Sequence, residues 1–260
     1  MLFARADYNG PMDPVCFHIG SRPIYWYGVM VAGAFLAGIL HWTRLLKREG
    51  RPQDFASDLA VWLMIGSVIG ARLGYVLANP SDYLAHPVSI LRVDQGGLIF
   101  YGGLIGGSVS VIFLAWRRHE PLWRLADFTV SALPLGQAFG RVGCFLNGCC
   151  YGSACNLPWA VDSNGAMRHP TQLYEAGLTL LLYGAMAWYY PRRQRDGNVL
   201  ALYLVGYSVV RFLLEFIRGD ERQPLFGIDM AQGISLVLLA AGVALWTRKR
   251  APAVAVAPAR

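Results

Sequence analysis

Charge is scarce in this chain. Only 15% of its 260 residues are Asp, Glu, Lys or Arg, against about a quarter in an ordinary soluble domain. Hydrophobic residues make up 55%, and the mean hydropathy is +0.38. The deficit argues against a soluble domain and for a membrane protein. A continuous apolar run is missing from the start, "MLFARADYNGPMDPVCFHIG", so no cleaved signal peptide is expected. No apolar stretch precedes Cys16, which argues against a lipid-attachment cysteine. The C-x-x-C pair of a redox centre is also absent.

What is there is a series of apolar runs long enough to cross ~30 Å of hydrocarbon. Seven are found, at roughly 24–44, 57–78, 97–116, 123–146, 172–190, 198–217 and 229–247. The fourth contains Asp127, Pro134 and Arg141. The expected fold is an all-α integral membrane protein of seven transmembrane helices. One membrane domain would cover 1–250, with a small loop region on the outer face at about 147–170. The tail 251–260, "APAVAVAPAR", reads as disordered and cytoplasmic.

The formal charge of +7 raises the question of nucleic acid, and its distribution answers it. Fourteen of the 23 Lys and Arg fall in the segments after spans 1, 3, 5 and 7, including Arg44, Lys47, Arg48, Arg51, Arg117, Arg118, Arg192 and Arg193. Six fall on the opposite side, and Arg72, Arg141 and Arg211 lie inside spans. This asymmetry fits the positive-inside rule. It expects the N-terminus outside and the C-terminus in the cytoplasm, with no nucleic-acid partner.

Glycines recur every fourth residue in Gly66/Gly70/Gly74, Gly102/Gly106, Gly103/Gly107 and Gly136/Gly140. Such spacing lets membrane helices approach closely. Packing is the plain reading for most of them. At Gly102 and Gly103, beside Tyr101, a bare backbone is also a candidate for admitting a ligand.

Ionisable residues at membrane depth are costly, at least ~2.5 kcal/mol on insertion scales, so they are expected to be paired or functional. Arg72, Arg141, Arg211, Glu215 and, one turn on, Arg218 lie toward the outer ends of their spans. Arg211 and Glu215 are four apart, on one helical face. Tyr27, Tyr101, Asn147, His169, Gln172 and Glu175 fall at the same depth. Asp127, at the other side, reads as a helix-start or packing residue. The plain reading of the outer group is a structural network with an aromatic belt. The sharper one is an anionic ligand held by arginine forks, which suit phosphate bidentately. At an outer membrane surface that phosphate belongs to a lipid headgroup.

Cys144, Cys149, Cys150 and Cys155 form C-x4-C-C-x4-C. Zinc sites favour C-x2–4-C pairs with a longer spacer, so no metal and no cofactor are expected. A disulfide of Cys149 or Cys150 with Cys155 is open on the oxidising side. So is a small buried apolar role for Cys144.

The segments "YWYG" (25–28), "GARLGYVL" (70–77), "GGLIFYGGLIGG" (96–107), "GRVGCFLNGCCYG" (140–152), "RHPTQLYEA" (168–176) and "RFLLEFIRGDE" (211–221) occur in the order found in one family. The sequence resembles the prolipoprotein diacylglyceryl transferases of bacteria. The resemblance implies seven transmembrane helices in the inner membrane. It implies transfer of an sn-1,2-diacylglyceryl group from phosphatidylglycerol to the lipobox cysteine of preprolipoproteins, giving a thioether and glycerol phosphate. The partners would be phosphatidylglycerol, the substrate's signal peptide and membrane lipid, with the chain acting as a monomer. By motif, the functional positions are Tyr27, Arg141, Asn147, Gly152, Arg211 and Glu215, joined by His169, Gln172 and Glu175. Arg141, Arg211, Tyr101 and Glu215 are the expected catalytic set. Tyr27, Asn147, Gly152, Arg72, Gly102, Gly103, His169, Gln172, Glu175 and Arg218 are expected at the substrate.

Two departures stand out. Relatives carry histidine before the paired glycines, where Tyr101 stands here, and a phenol ordinarily titrates near ~10. Some relatives carry glutamate at the position of Cys149. The competing readings are a membrane thiol oxidoreductase using Cys149, Cys150 and Cys155, and a non-catalytic binder of anionic lipid.

Overall fold

The computed structural model describes residues 14–85, 87–92, 96–163, 165–219 and 229–248. The expectations for the start of the chain and for the tail 251–260 lie outside the described residues. A hairpin, β1 (Val15–Ile19) and β2 (Arg22–Tyr25), leads into the helices α1 (Trp26–Arg48) and α2 (Phe55–Ala78). A short α3 (Pro80–Ala85) and a 3-10 turn (Pro87–Leu91) precede α4 (Phe100–Arg118). Then come α5 (Leu122–Val130), α6 (Leu133–Leu146), the antiparallel pair β3 (Val161–Ser163) and β4 (Ala166–Arg168), α7 (Thr171–Tyr189), α8 (Asn198–Glu215) and α9 (Met230–Thr247).

Helices α1, α2, α4, α8 and α9 are long and apolar enough to cross a membrane. At most 39% of any of their apolar windows is buried within the molecule. Leu36, Val61, Ile69, Ile105, Leu181 and Val237 all point outward. Apolar side chains covering most of a helix surface need an apolar solvent, so the molecule is an integral membrane protein.

The fourth expected span departs from a single helix. It is built as α5 and α6, parted at Ser131–Ala132, with Pro134 in the first turn of α6. Proline lacks the N–H that would continue the helix, and its ring favours a first-turn position. The fifth, α7, is 19 residues long and opens on buried Gln172 and Glu175. Those two residues keep its hydropathy below that of the other long helices.

Helices α2 and α4 meet backbone to backbone. A Cβ placed at Gly106 would lie 2.0 Å from the Gly66 carbonyl oxygen, and one at Gly102 would lie 2.3 Å from that of Gly70. Ser110 Oγ donates to the Trp62 carbonyl at 2.9 Å, closing the same seam. The four-residue glycine spacing on these helices is therefore a packing device. Gly136 and Gly140 differ, since a Cβ at either meets nothing within 4 Å. Gly106→Ala is expected to destabilise the protein by about 1–3 kcal/mol through overpacking. Gly184→Ala, inside α7 where a Cβ has open space, is expected to raise stability slightly, by about 0.5–1 kcal/mol. Thermal unfolding of the detergent-solubilised chain checks both.

The densest core lies where α1, α4 and α7 end and α2, α5 and α8 begin. Leu46, Leu59, Leu114, Leu125, Phe128 and Met186 are almost wholly buried there. Charges gather at the same end. Arg51, Arg124 and Arg193 surround the buried Glu49 at 3.6, 3.6 and 3.7 Å, and Arg51 also pairs with Glu120. Asp127 accepts hydrogen bonds at 2.8 Å from the backbone N–H groups of both Gly197 and Leu200. It caps the start of α8 from a different helix, satisfying donors that the first turn leaves open.

Candidate active site

At the opposite end, α6 finishes, α7 starts and α8 finishes. The chain leaves α6 through Asn147, whose N–H still donates to Gly143 O at 3.0 Å. It then turns sharply, with Gly148 at φ 65° and Cys150 at φ 64°. The first turn of α7 holds this turn in place. Gln172 Nε2 donates to Cys149 O at 2.7 Å, and Thr171 Oγ1 donates to Cys150 O at 3.0 Å.

Gly152 comes next and is enclosed by three segments. Its N–H donates to His169 O at 2.9 Å, and it forms a bridge with Arg218. Ser153 N donates to Ile217 O at 2.9 Å, and Gly219 N donates to Tyr151 O at 3.2 Å. These bonds tie the loop after α6 to the end of α8. Arg168 lies over the Tyr151 ring at 4.7 Å.

Beneath this floor runs a buried polar network across α6, α7 and α8. Arg141 Nε donates to Glu175 Oε1 at 2.9 Å, with side chains 21% and 3% exposed. Tyr207 Oη donates to the same Glu175 oxygen at 3.1 Å. Arg211 Nη2 and Glu215 Oε2 are 2.7 Å apart. Tyr203 stacks on Tyr207 at 5.7 Å and accepts a hydrogen bond from Gln137 Nε2. Among the described residues, Arg211 Nη1 and Gln172 Oε1 are buried polar atoms with no hydrogen-bond partner. A buried donor without a partner costs about 1–3 kcal/mol, which makes Arg211 Nη1 an invitation to an acceptor.

The structure thus brings together Arg141, Glu175, Arg211 and Glu215, with Asn147, Gly152, His169, Gln172 and Arg218 in the floor above them. Tyr27, on the first turn of α1, faces this group from the side. A Cβ at Gly143 would lie 3.2 Å from its ring. His169 uses its backbone to hold Gly152, and its ring approaches Tyr174 edge-on at 6.1 Å.

The other expected residues sit on the α2–α4 pair. Arg72 is buried and donates to the carbonyls of Ser89, Ile90, Gly96 and Gly97. Its guanidinium also lies 5.2 Å from the Tyr83 ring. It clamps the segment between α3 and α4, and its donors are engaged by backbone carbonyls. Gly102 packs on the Gly70 backbone, and a Cβ at Gly103 would touch Ser67 O and Ala71 at 3.4 and 3.5 Å. Both glycines therefore serve helix contact. Tyr101, on the first turn of α4, is half-exposed and edge-on to Phe100.

Sequence reasoning passed over Tyr207, Tyr203 and Gln137. A signal was present, because Tyr203, Tyr207, Arg211 and Glu215 are spaced by four and form one stripe on α8.

All five cysteines are free thiols in this structure. Cys155 donates its backbone N–H to Met167 O at 3.0 Å. The sulfurs of Cys144, Cys149 and Cys150 lie within 4.8 Å of one another. The left-handed backbone at Gly148 and Cys150 folds the chain back and gathers the three thiols.

Comparison with known proteins decides the family. The model of the family described as prolipoprotein diacylglyceryl transferase matches residues 14–248. The chain belongs to this family. The phosphatidylglycerol–prolipoprotein diacylglyceryl transferase of Verminephrobacter eiseniae is 39% identical, over 94% of this chain and 96% of its own length. The protein of that name from Paracidovorax citrulli is 37% identical over 93% and 97%. The one from Synechococcus elongatus is 37% identical over 88% and 85%. The likeness runs through all the elements described above, so the diacylglyceryl transferase relatives share the whole architecture and not one motif.

Proposed function

We propose that this chain transfers the sn-1,2-diacylglyceryl group of phosphatidylglycerol to the lipobox cysteine thiol of preprolipoproteins. The observation that carries this reading is the pair of arginines, one on α6 and one on α8, each held by a buried carboxylate. Glu175 holds Arg141 by its Nε, and Glu215 holds Arg211 by Nη2. Arg211 Nη1 is a buried donor with no partner among the described residues, and an oxygen of an anionic headgroup would satisfy it.

In this reading Arg141 and Arg211 bind the lipid phosphate. The substrate thiolate attacks the C3 carbon of the diacylglyceryl unit. The C–S bond forms as the C–O bond to phosphate breaks, and glycerol phosphate leaves with the electron pair. Donors preset for the growing negative charge lower the barrier, because they need no reorganisation as the charge develops. Tyr207 shares Glu175 with Arg141 and so fixes the carboxylate that orients the arginine.

The reading extends to topology. Seven spans, with α5–α6 forming the fourth and α7 the fifth, place the arginine-rich end around Glu49 in the cytoplasm. The Arg141–Arg211 end then opens at the outer leaflet of the bacterial inner membrane. There both the lipid and the substrate's signal peptide can enter sideways. The chain acts as a monomer.

Tyr101 is proposed as a hydrogen-bond donor to the headgroup. Tyr101→Phe is expected to lower glycerol phosphate release by about 10- to 150-fold, as loss of one hydrogen bond to a charged group costs ~1.5–3 kcal/mol. Full release in the Phe variant excludes the hydroxyl, and equal release by Tyr101→His assigns the position to headgroup binding rather than to a phenol-specific step. The proposal as a whole is tested by expressing the gene in cells depleted of their own diacylglyceryl transferase. Rescue of growth and lipoprotein maturation is expected, and failure by a chain that reaches the membrane contradicts it.

A further inference from the structure

The three gathered thiols take no part in the transfer scheme, and their geometry suits a different task. Cys144 ends α6, and Cys149 and Cys150 lie in the turn that follows. Their Sγ atoms all lie within 4.8 Å of one another, and those of Cys149 and Cys150 are 3.6 Å apart. A disulfide requires about 2.05 Å between sulfurs. A trigonal metal centre with thiolate bonds of about 2.3 Å puts its sulfurs ~4.0 Å apart, inside the observed spread.

The donor set also selects the ion. Among the described residues it holds sulfur only, which favours soft thiophilic ions such as Cu(I) and Zn(II) over Mg(II) and Ca(II). Arg218 and Arg141 are charged neighbours of the cluster and would offset the anionic charge of a trithiolate complex. All three cysteines are partly exposed, so an ion has a route in. The scaffold is firm, because Gln172 and Thr171 fix the carbonyls of Cys149 and Cys150.

We infer that Cys144, Cys149 and Cys150 form a three-sulfur site for one thiophilic d10 ion of the Cu(I) or Zn(II) class. Bound there, the ion would join the end of α6 to the turn that leads into Gly152.

The test uses the full chain, reduced, in detergent micelles, with Cd(II) as a spectroscopic probe. Titration is expected to give one equivalent of Cd(II) with a sulfur-to-metal charge-transfer band. Cys149→Ser is expected to weaken binding at least tenfold. Cys16→Ser and Cys155→Ser are expected to leave it unchanged. On the unaltered chain, bound Cd(II) should protect Cys144, Cys149 and Cys150, but not Cys155, from alkylation read by mass spectrometry. That second readout does not depend on a variant folding. Absence of the band, or protection centred on Cys16 or Cys155, would overturn the site.

Discussion

Arg141→Ala and Arg211→Ala are each expected to lower glycerol phosphate release at least about a hundredfold, the range seen when one preset charge-stabilising donor is removed. The size follows from the location. Arg141 and Arg211 sit among buried groups, where an electrostatic contact is screened less than at a surface. Each substitution also takes a cation away from a buried carboxylate. Among the described residues Glu175 would keep Tyr207 as a donor, and Glu215 would lose its contact at 2.7 Å. Removing one partner of a buried pair can cost ~3–5 kcal/mol of stability, so helical content and thermal unfolding have to be measured beside activity. Arg141→Lys separates the two effects. It keeps the charge for Glu175 but lacks the planar fork, so it should fold normally and still release product slowly. Near-normal release from both alanine variants would remove the phosphate clamp from the mechanism.

Gly152→Ala is the second large effect. A Cβ there would lie 2.6 Å from His169 Cβ and 2.8 Å from the carbonyl oxygens of both His169 and Ile217. Two of those three neighbours are backbone, so none can swing aside. The substitution must part the loop from α7 or from the end of α8, and both segments carry the polar network. Displacements of about 1 Å in positioning elements can cost ~100-fold in rate. Transfer is therefore expected to fall about that far, while circular dichroism shows the helices intact. Gly165→Ala, in a tight turn at φ +76° with nothing near its Cβ, is the control. It strains the turn alone and should leave transfer near normal. Equal activity in the two variants would show that the floor at Gly152 has no bearing on the site.

Much of this arrangement is legible in the sequence, and the reasons differ by residue. Arg211 and Glu215 are readable as a pair because helical spacing alone places them on one face. Asp127 reads as a helix-start or packing residue of its own span, but it lies within α5 and caps the start of α8, more than sixty residues on. That partner depends on tertiary packing, which no local pattern carries. The same holds for Arg141 and Glu175, which lie on different helices separated by the β3–β4 hairpin. Arg72 misleads for a physical reason. An arginine at membrane depth signals need, and here backbone carbonyls of the segment before α4 meet that need in place of a ligand. The cysteines mislead in the opposite direction. Their spacing suggested no common site, and two residues in left-handed backbone bring three sulfurs together. Gly102 and Gly103 show how one pattern serves two readings, since four-residue spacing fits both close packing and ligand access. The Gly70 carbonyl facing Gly102 shows that the packing role is filled.

The account's central claim is tested most directly in a defined system. Purified chain, phosphatidylglycerol vesicles and a peptide carrying one lipobox cysteine are incubated together, and both products are measured by mass spectrometry. The account predicts a thioether-linked diacylglyceryl peptide and glycerol phosphate in equal amounts, with no product from a peptide whose cysteine is replaced by serine. Tight binding of phosphatidylglycerol without either product, or oxidation of the peptide thiol in place of alkylation, would contradict it.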